Sequence, residues 1–306
     1  MSKRVLIAII TGVVAAIIVV VAVLAFVYSR SNNYRLLKLY EFEGTGVVRR
    51  EGKGDITPYP NMVLESGDKI ALETGRLTIQ ADEDKYIHLD EHTEIQLNAS
   101  GTGDNSRTEI QLLRGGISND IRNKLSADSS YEINTPNSTM AVRGTVFYAY
   151  IYEIDGVKYT RVCVFDGVVS TRLVYKDGTV SEQEVPVGKG KEIIIYEDGT
   201  TTDYLYAEPQ DIDYDTLPDN VLEDLRDIIV IDGKELSITS AEITRILEGP
   251  YYVTFMYGDI PFGTQTVEKG QTATVPSLSP AATGGWDFVF TQTIERDTVI
   301  EWSDAG

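Results

Sequence analysis

Few residues in this chain are equipped for chemistry. Its two histidines, His88 and His92, lie in YIHLDEHTEIQL, where with Glu91 they spell H-x-x-E-H. That spacing suits a zinc hydrolase, with two histidines on the metal and the glutamate activating water, provided a helix puts positions four apart on one face. The flanks disagree. Tyr86 and His88 alternate with Ile87 and Leu89, and Ile95 and Leu97 keep the same period of two. On a strand His88 and Glu91 point to opposite faces, so a strand, an acidic turn and a strand are expected, with no metal and no cofactor.

Asp211, Asp213 and Asp215 alternate like the opening of a calcium loop, but the sixth and twelfth positions hold Thr216 and Leu222 instead of Gly and Glu. Weak calcium binding competes there with an acidic linker that caps the next helix. Cys163 is the single cysteine, set in RVCVFDG, and is expected to be a buried small hydrophobe. VGKGKE lacks the spacing of a phosphate loop, and no histidine lies near Cys163 in sequence to activate it. An enzyme is not expected. Tyr148, Tyr150 and Tyr152 alternate with Phe147, Ala149 and Ile151, which gives one strand face a ladder of phenols. Cross-strand packing and a binding face for a glycan or peptide are its competing uses.

The elements that carry these residues are mainly β. Residues 5–28 form an uncharged apolar run of 24 residues, long enough for a transmembrane helix that spans a core of roughly 30 Å. No cleavage signature follows it, so it reads as an uncleaved anchor, with residues 1–4 as a cytoplasmic tip held inside by Lys3 and Arg4. Ala8, Gly12 and Ala16 form a small-residue face that would let two such helices pair as a homo-oligomer. The chain carries 27 basic and 47 acidic residues, and without Lys3 and Arg4 the remainder has a formal charge of about −22, which disfavours nucleic acid.

From residue 29 to 201 short strands alternate with turn signals, and Asp155-Gly156, Asp177-Gly178 and Asp198-Gly199 are expected hairpin turns. A polar stretch near residues 119–124 leaves room for a helix. An acidic connector at 202–250 then holds two short helices. The first shows a helical period at Val221, Leu222, Leu225, Ile228 and Ile229, and the second is framed by Thr239, Glu242 and Gly249 as cap, capping-box partner and stop. A small β module follows at 251–302, with a tail at 303–306.

One stretch, YEINTPNSTMAVRGTVFYAY, resembles the signature of the FecR domain, and its flanks agree in order: GTGVVRREGKG, MVLESGDKIALETGRLTIQ, IQLLRGGI, VCVFDGVVST and VPVGKGKEI. The resemblance covers about residues 44–195 and implies an extracytoplasmic all-β domain of stacked short strands and hairpins. Thr135, Pro136, Ala141, Val142, Arg143, Gly144 and Thr145 are its signature. Pro136 is expected to stop one strand and Gly144 to permit a bulge or close approach. Arg143 is expected to donate to carbonyls exposed there or to pair with a carboxylate. FecR proteins of the iron-citrate type act through an anti-sigma segment, and four residues before the apolar run are too few to form one. Residues 251–302 resemble a shortened internalin B-type repeat, through Tyr-Val-Thr-Phe, TVEKGQTATVP, Gly285-Trp286 and Glu301-Trp302.

The expected protein is a single-pass membrane protein of a bacterial envelope, with its C-terminal domains outside the cytoplasm. Its non-catalytic FecR-like domain is expected to bind or sense a protein or an envelope polymer. The alternative is a regulatory component that signals through a membrane partner.

Overall fold

The computed structural model describes residues 36–102, 105–197 and 204–304. The apolar run at 5–28, its small-residue face and the Asp198-Gly199 turn lie outside the described residues. Among those described, no helix is long and apolar enough to cross a membrane.

The chain opens with β1 (Leu37–Arg50), β2 (Gly54–Ile56), β3 (Lys69–Ala81), β4 (Lys85–Leu89), β5 (Thr93–Ser100) and β6 (Arg107–Ile121). It continues through β7 (Ser130–Asn134), β8 (Ser138–Val142), β9 (Val146–Ile154), β10 (Val157–Asp166), β11 (Val168–Leu173), β12 (Val185–Gly188) and β13 (Lys191–Glu197). Short β14 (Tyr204–Tyr206) and β15 (Gln210–Asp211) precede helices α1 (Asp219–Asp232) and α2 (Ser240–Glu248). β16 (Tyr251–Tyr257), β17 (Ile260–Val267), β18 (Gly285–Trp286) and β19 (Thr298–Ser303) complete the chain.

β1 to β15 hydrogen-bond into one 15-stranded sheet, antiparallel except where β7 runs parallel to β6. β6 organises it. Its first half pairs with β5 and β7, while its second half pairs with β4 and β9, so the sheet closes around a single core. The alternation seen in the sequence supplies that core: Ile95 and Leu97 of β5 and Ile87 and Leu89 of β4 point in, and Phe147 and Ala149 of β9 meet them. Burying each large side chain stabilises the fold by about 1.5–3 kcal/mol.

Asp155 and Gly156 have φ of 51° and 80°, the double positive φ of a tight hairpin, and join β9 to β10. Asp177-Gly178 lies in the turn closed by the Val174–Val180 bridge, where the Gly178 amide donates to the Tyr175 carbonyl at 2.8 Å. The polar stretch near 119–124 is not helical, because residues 119–121 finish β6 and 122–124 are irregular. Asn119 sits between Ile87 and Phe147 of the neighbouring strands, and its side chain accepts from the Tyr131 hydroxyl at 2.7 Å.

The stretch at 202–250 is built onto the β domain. β14 and β15 pair with β13, and both helices lie on the outer face of the sheet. There Val221, Leu222, Leu225 and Ile228 of α1 and Ile243, Ile246 and Leu247 of α2 pack with Val146, Tyr148, Cys163 and Phe165. Thr239 and Glu242 form the reciprocal capping box, each side chain taking the other's backbone N–H, at 3.2 and 2.8 Å. β16 to β19 form a separate four-stranded sheet, ordered β17-β16-β19-β18, over Tyr251, Val253, Phe255 and Ile300.

Candidate functional site

Strand alternation sends Tyr148, Tyr150 and Tyr152 of β9 to the outer face, the face that α1 and α2 partly cover. Register then adds two rings, since Tyr152 lies opposite Tyr159 of β10 and Tyr159 opposite Tyr196 of β13. The five phenols form one continuous stack with centroid separations of 6.0, 5.6, 5.0 and 6.0 Å and near-parallel planes. Because the ring faces are spent on one another, edges and hydroxyls are what the stack offers outward.

Its inner end is closed. Tyr148 is buried, and so drops out of the expected binding face of Tyr148, Tyr150 and Tyr152. Its hydroxyl donates to Asp90 Oδ2 at 2.6 Å, and Asn220 of α1 donates to Asp90 Oδ1 at 2.6 Å. Gly116 makes this contact feasible, because a Cβ there would come within 2.4 Å of the Asp90 carboxylate and 2.5 Å of the Tyr148 hydroxyl. Burial raises the Asp90 carboxyl above the usual range, although both hydrogen bonds pull it down. Burial also raises the Tyr148 hydroxyl, helped by the charge of Asp90.

The outer end, Tyr150, Tyr152, Tyr159 and Tyr196, is half-buried. Beside it Arg161 is locked to Glu192, with Nε and Nη2 at 2.9 and 2.5 Å from Oε2, and Gln210 donates to Oε1 at 2.9 Å. Cys163 lies behind this pair, buried, its thiol 3.4 Å from Glu192 and pushed well up by burial. A cleft of about 500 Å³ runs between this end and Pro218, lined by Tyr150, Tyr152, Arg161, Gln210 and Asp213. A second, of about 560 Å³, lies across the start of α1 over His88, Asp90, Asn220 and Asp224.

The remaining candidates separate. His88 sits on β4 with Nδ1 3.1 Å from the Thr78 hydroxyl and 3.8 Å from Asp224, itself paired with Arg76. His92 is exposed in the turn after β4, 3.6 Å from Glu73, so the H-x-x-E-H spacing does not converge on a helix face. Among the described residues no cluster of His, Cys, Asp or Glu is placed to hold a metal. Asp211 pairs with Lys191 at 2.7 Å, Asp213 accepts from the Asp215 amide at 3.2 Å, and Asp215 lies 3.6 Å from Arg245.

In the signature, Pro136 occupies the exposed turn between β7 and β8. Gly144 has φ of 80°, and a Cβ would meet the Lys124 Cα at 3.0 Å. Thr145 is buried, its carbonyl accepting from the Ile121 amide at 3.1 Å, and Val142 is buried on β8 beside exposed Ala141. Arg143 departs from expectation: it is exposed and makes no hydrogen bond or ion pair among the described residues. The polar work falls to uncharged neighbours. Thr160 donates to Asn137 at 2.6 Å, Asn137 donates to the Ile195 carbonyl at 3.3 Å, and the Thr135 and Ser138 hydroxyls meet at 2.8 Å, all buried. Small side chains reach buried carbonyls without desolvating a charge, which a guanidinium could not do. Nothing in the spacing of the signature marks Asn137, since only the fold brings it to Thr160 of β10 and Ile195 of β13.

Residues 68–170 match the family model described as FecR protein. The FecR match runs from the residue before β3 into β11, and so includes the signature and the Tyr148 to Tyr159 part of the stack. No curated protein matches the chain. Two crystal structures of a candidate anti-sigma factor from Parabacteroides distasonis ATCC 8503, at 1.65 and 2.50 Å resolution, are similar to it at 11% identity. Each alignment covers 78% of this chain and 99% of the other, with TM-scores of 0.38 and 0.37.

Proposed function

We propose that this chain is a non-catalytic regulatory protein of the cell envelope, anchored by residues 5–28, whose FecR-like domain binds a protein or envelope polymer outside the cytoplasm. The FecR match over residues 68–170 carries the regulatory reading, since that family regulates by contact and not by catalysis. The stack supports the place of contact. Tyr150, Tyr152, Tyr159 and Tyr196 stand half-buried beside an open cleft, a row of phenol edges suited to the hydroxyls or amides of an extended polymer. Ala8, Gly12 and Ala16 favour a second reading, in which the signal passes through a partner helix in the membrane. Residues 251–302 serve in either case as an internalin B-type spacer or adhesion module.

A photo-crosslinking residue at Tyr152 of the full chain, in native membranes, tests the contact. One defined adduct is expected, weakened by Tyr159→Ala or Tyr196→Ala. An adduct pattern matching that of a probe at the exposed Tyr59 would overturn it. A wall polymer in the adduct favours sensing of the envelope, and a membrane protein favours the second reading.

A further inference from the structure

A second surface has a different character and lies at the other end of α1. Leu36, Lys38 and Tyr40 flank the inward-facing Leu37 and Leu39, so all three lie on the outside of β1. Val63 bridges to Lys38 across the sheet edge, and the Lys38 ammonium lies 5.3 Å from the Tyr40 ring centre. Tyr40 meets Tyr86 edge-on at 5.6 Å and shares a hollow with Ile231 at the end of α1. Val63 and Ile231 are 68% and 75% exposed. In a chain with 20 excess negative charges, this end pairs Asp120 and Asp232 with Arg122, and Asp82 and Asp84 with Lys85, while exposed Glu41 and Asp227 line the rim of the hollow.

The tether says what covers it. The uncharged run ends at Tyr28, eight residues before Leu36, and eight residues span at most roughly 28 Å when fully extended. Leu36 belongs to the patch itself, so along the chain the patch is the part of the domain nearest the end of the run.

We infer that the face formed by Leu36, Tyr40, Val63 and Ile231 rests on the lipid bilayer, with tyrosine and lysine at headgroup level and the aliphatic side chains just below. The inference rests on residues 5–28 being an anchor. Tyrosine and lysine suit that level because each joins an apolar body to a polar tip. The terminal module is held away from it, since Arg296 grips Leu217 and Asp219 at the start of α1, while Ile231 lies near its end. A helix of 14 residues puts about 20 Å between those points.

The test uses the full chain in vesicles of three parts phosphatidylcholine to one part phosphatidylglycerol, with a shallow spin-labelled lipid as quencher. Cys163 is buried and stays unlabelled, so Val63→Cys, Ile231→Cys and, in the terminal module, Leu278→Cys each carry one environment-sensitive dye. Quenching at 63 and 231 is expected to exceed that at 278 by about twofold or more, and to fall at 63 when Tyr40→Glu and Ile231→Glu are introduced. Equal quenching at all three sites, in chains that carbonate washing leaves in the membrane, overturns the inference alone. Release by carbonate overturns the anchor and the inference with it. Shielding of 63 and 231 from a soluble quencher without lipid quenching would show that a protein covers the face, and would also overturn it.

Discussion

Asp90 shows how one buried carboxylate ties three parts of the chain together, accepting from Tyr148 of β9 and Asn220 of α1 while sitting just after β4. Burial is the largest influence on it and favours the neutral form, so the folded protein holds the Asp90 proton more tightly than the unfolded chain does. The resulting stabilisation is full below the ordinary aspartate pKa of about 3.9 and is lost as pH rises through the elevated value. Asp90→Asn, neutral throughout, is therefore expected to gain stability relative to the natural protein between about pH 4 and about pH 7. Urea midpoints at the two pH values check this, and an unchanged difference would exclude burial as the dominant influence. The signature yields a contrast of the same kind. Asn137→Ala takes the Ile195 carbonyl's side-chain donor and leaves the Thr160 hydroxyl only a long contact to Thr135 at 3.4 Å, and should cost about 1–3 kcal/mol, whereas Arg143→Ala at an exposed position should stay within about 0.5 kcal/mol. A larger loss at Arg143 than at Asn137 in urea unfolding would reverse these assignments.

At the scale of elements, the helices depend on local signals that strands do not need. Thr239 and Glu242 close the start of α2, and the Thr239 hydroxyl, then its backbone N–H, hold the Glu242 carboxyl below the usual range. That stabilisation is present above the ordinary glutamate pKa and is lost as pH falls through the depressed one. Thr239→Ala should cost about 1 kcal/mol near neutrality and distinctly less near about pH 3, and paired urea melts at those pH values measure it. Signals of this short range were legible in the chain: the capping box, the period of Val221 to Ile228, and the Asp155-Gly156 hairpin all involve residues within a few positions. Tyr159 and Tyr196 were not legible as members of the stack, because their place beside Tyr152 depends on the registers of β10 and β13. The same holds for residues 119–121, whose polarity resembles a surface helix until Tyr131 and Lys234 arrive to satisfy Asn119 and Asp120. His88 and Glu91 read correctly as strand and turn because the alternation around them is local.

Across the whole molecule, the terminal module is attached mainly by polar contacts to the helices, and Arg296 is their centre. Its guanidinium donates to the Ile246 carbonyl at 2.9 Å and the Leu217 carbonyl at 3.3 Å and pairs with Asp219, so one side chain joins β19's approach to both helices. Arg245 to Asp297 at 3.0 Å and Lys269 to the Leu247 carbonyl at 2.7 Å add to it from the rim. The apolar cores under the two sheets are distinct, so losing these contacts should free the module without unfolding either body. Arg296→Ala leaves the Leu217 carbonyl without its side-chain donor and takes one of two side-chain donors from the Ile246 carbonyl, a loss of about 1–3 kcal/mol, which is about 5- to 150-fold in the equilibrium between docked and free module. Protease cutting between α2 and β16 should quicken by a similar factor, while the urea midpoint of the large β domain stays in place. Unchanged cutting would mean that Tyr251, whose hydroxyl donates to the Ile246 carbonyl at 3.1 Å, holds the module by itself. A shifted midpoint for the large domain would mean that the two bodies unfold as one, and the module would then be part of the fold that presents the tyrosine stack.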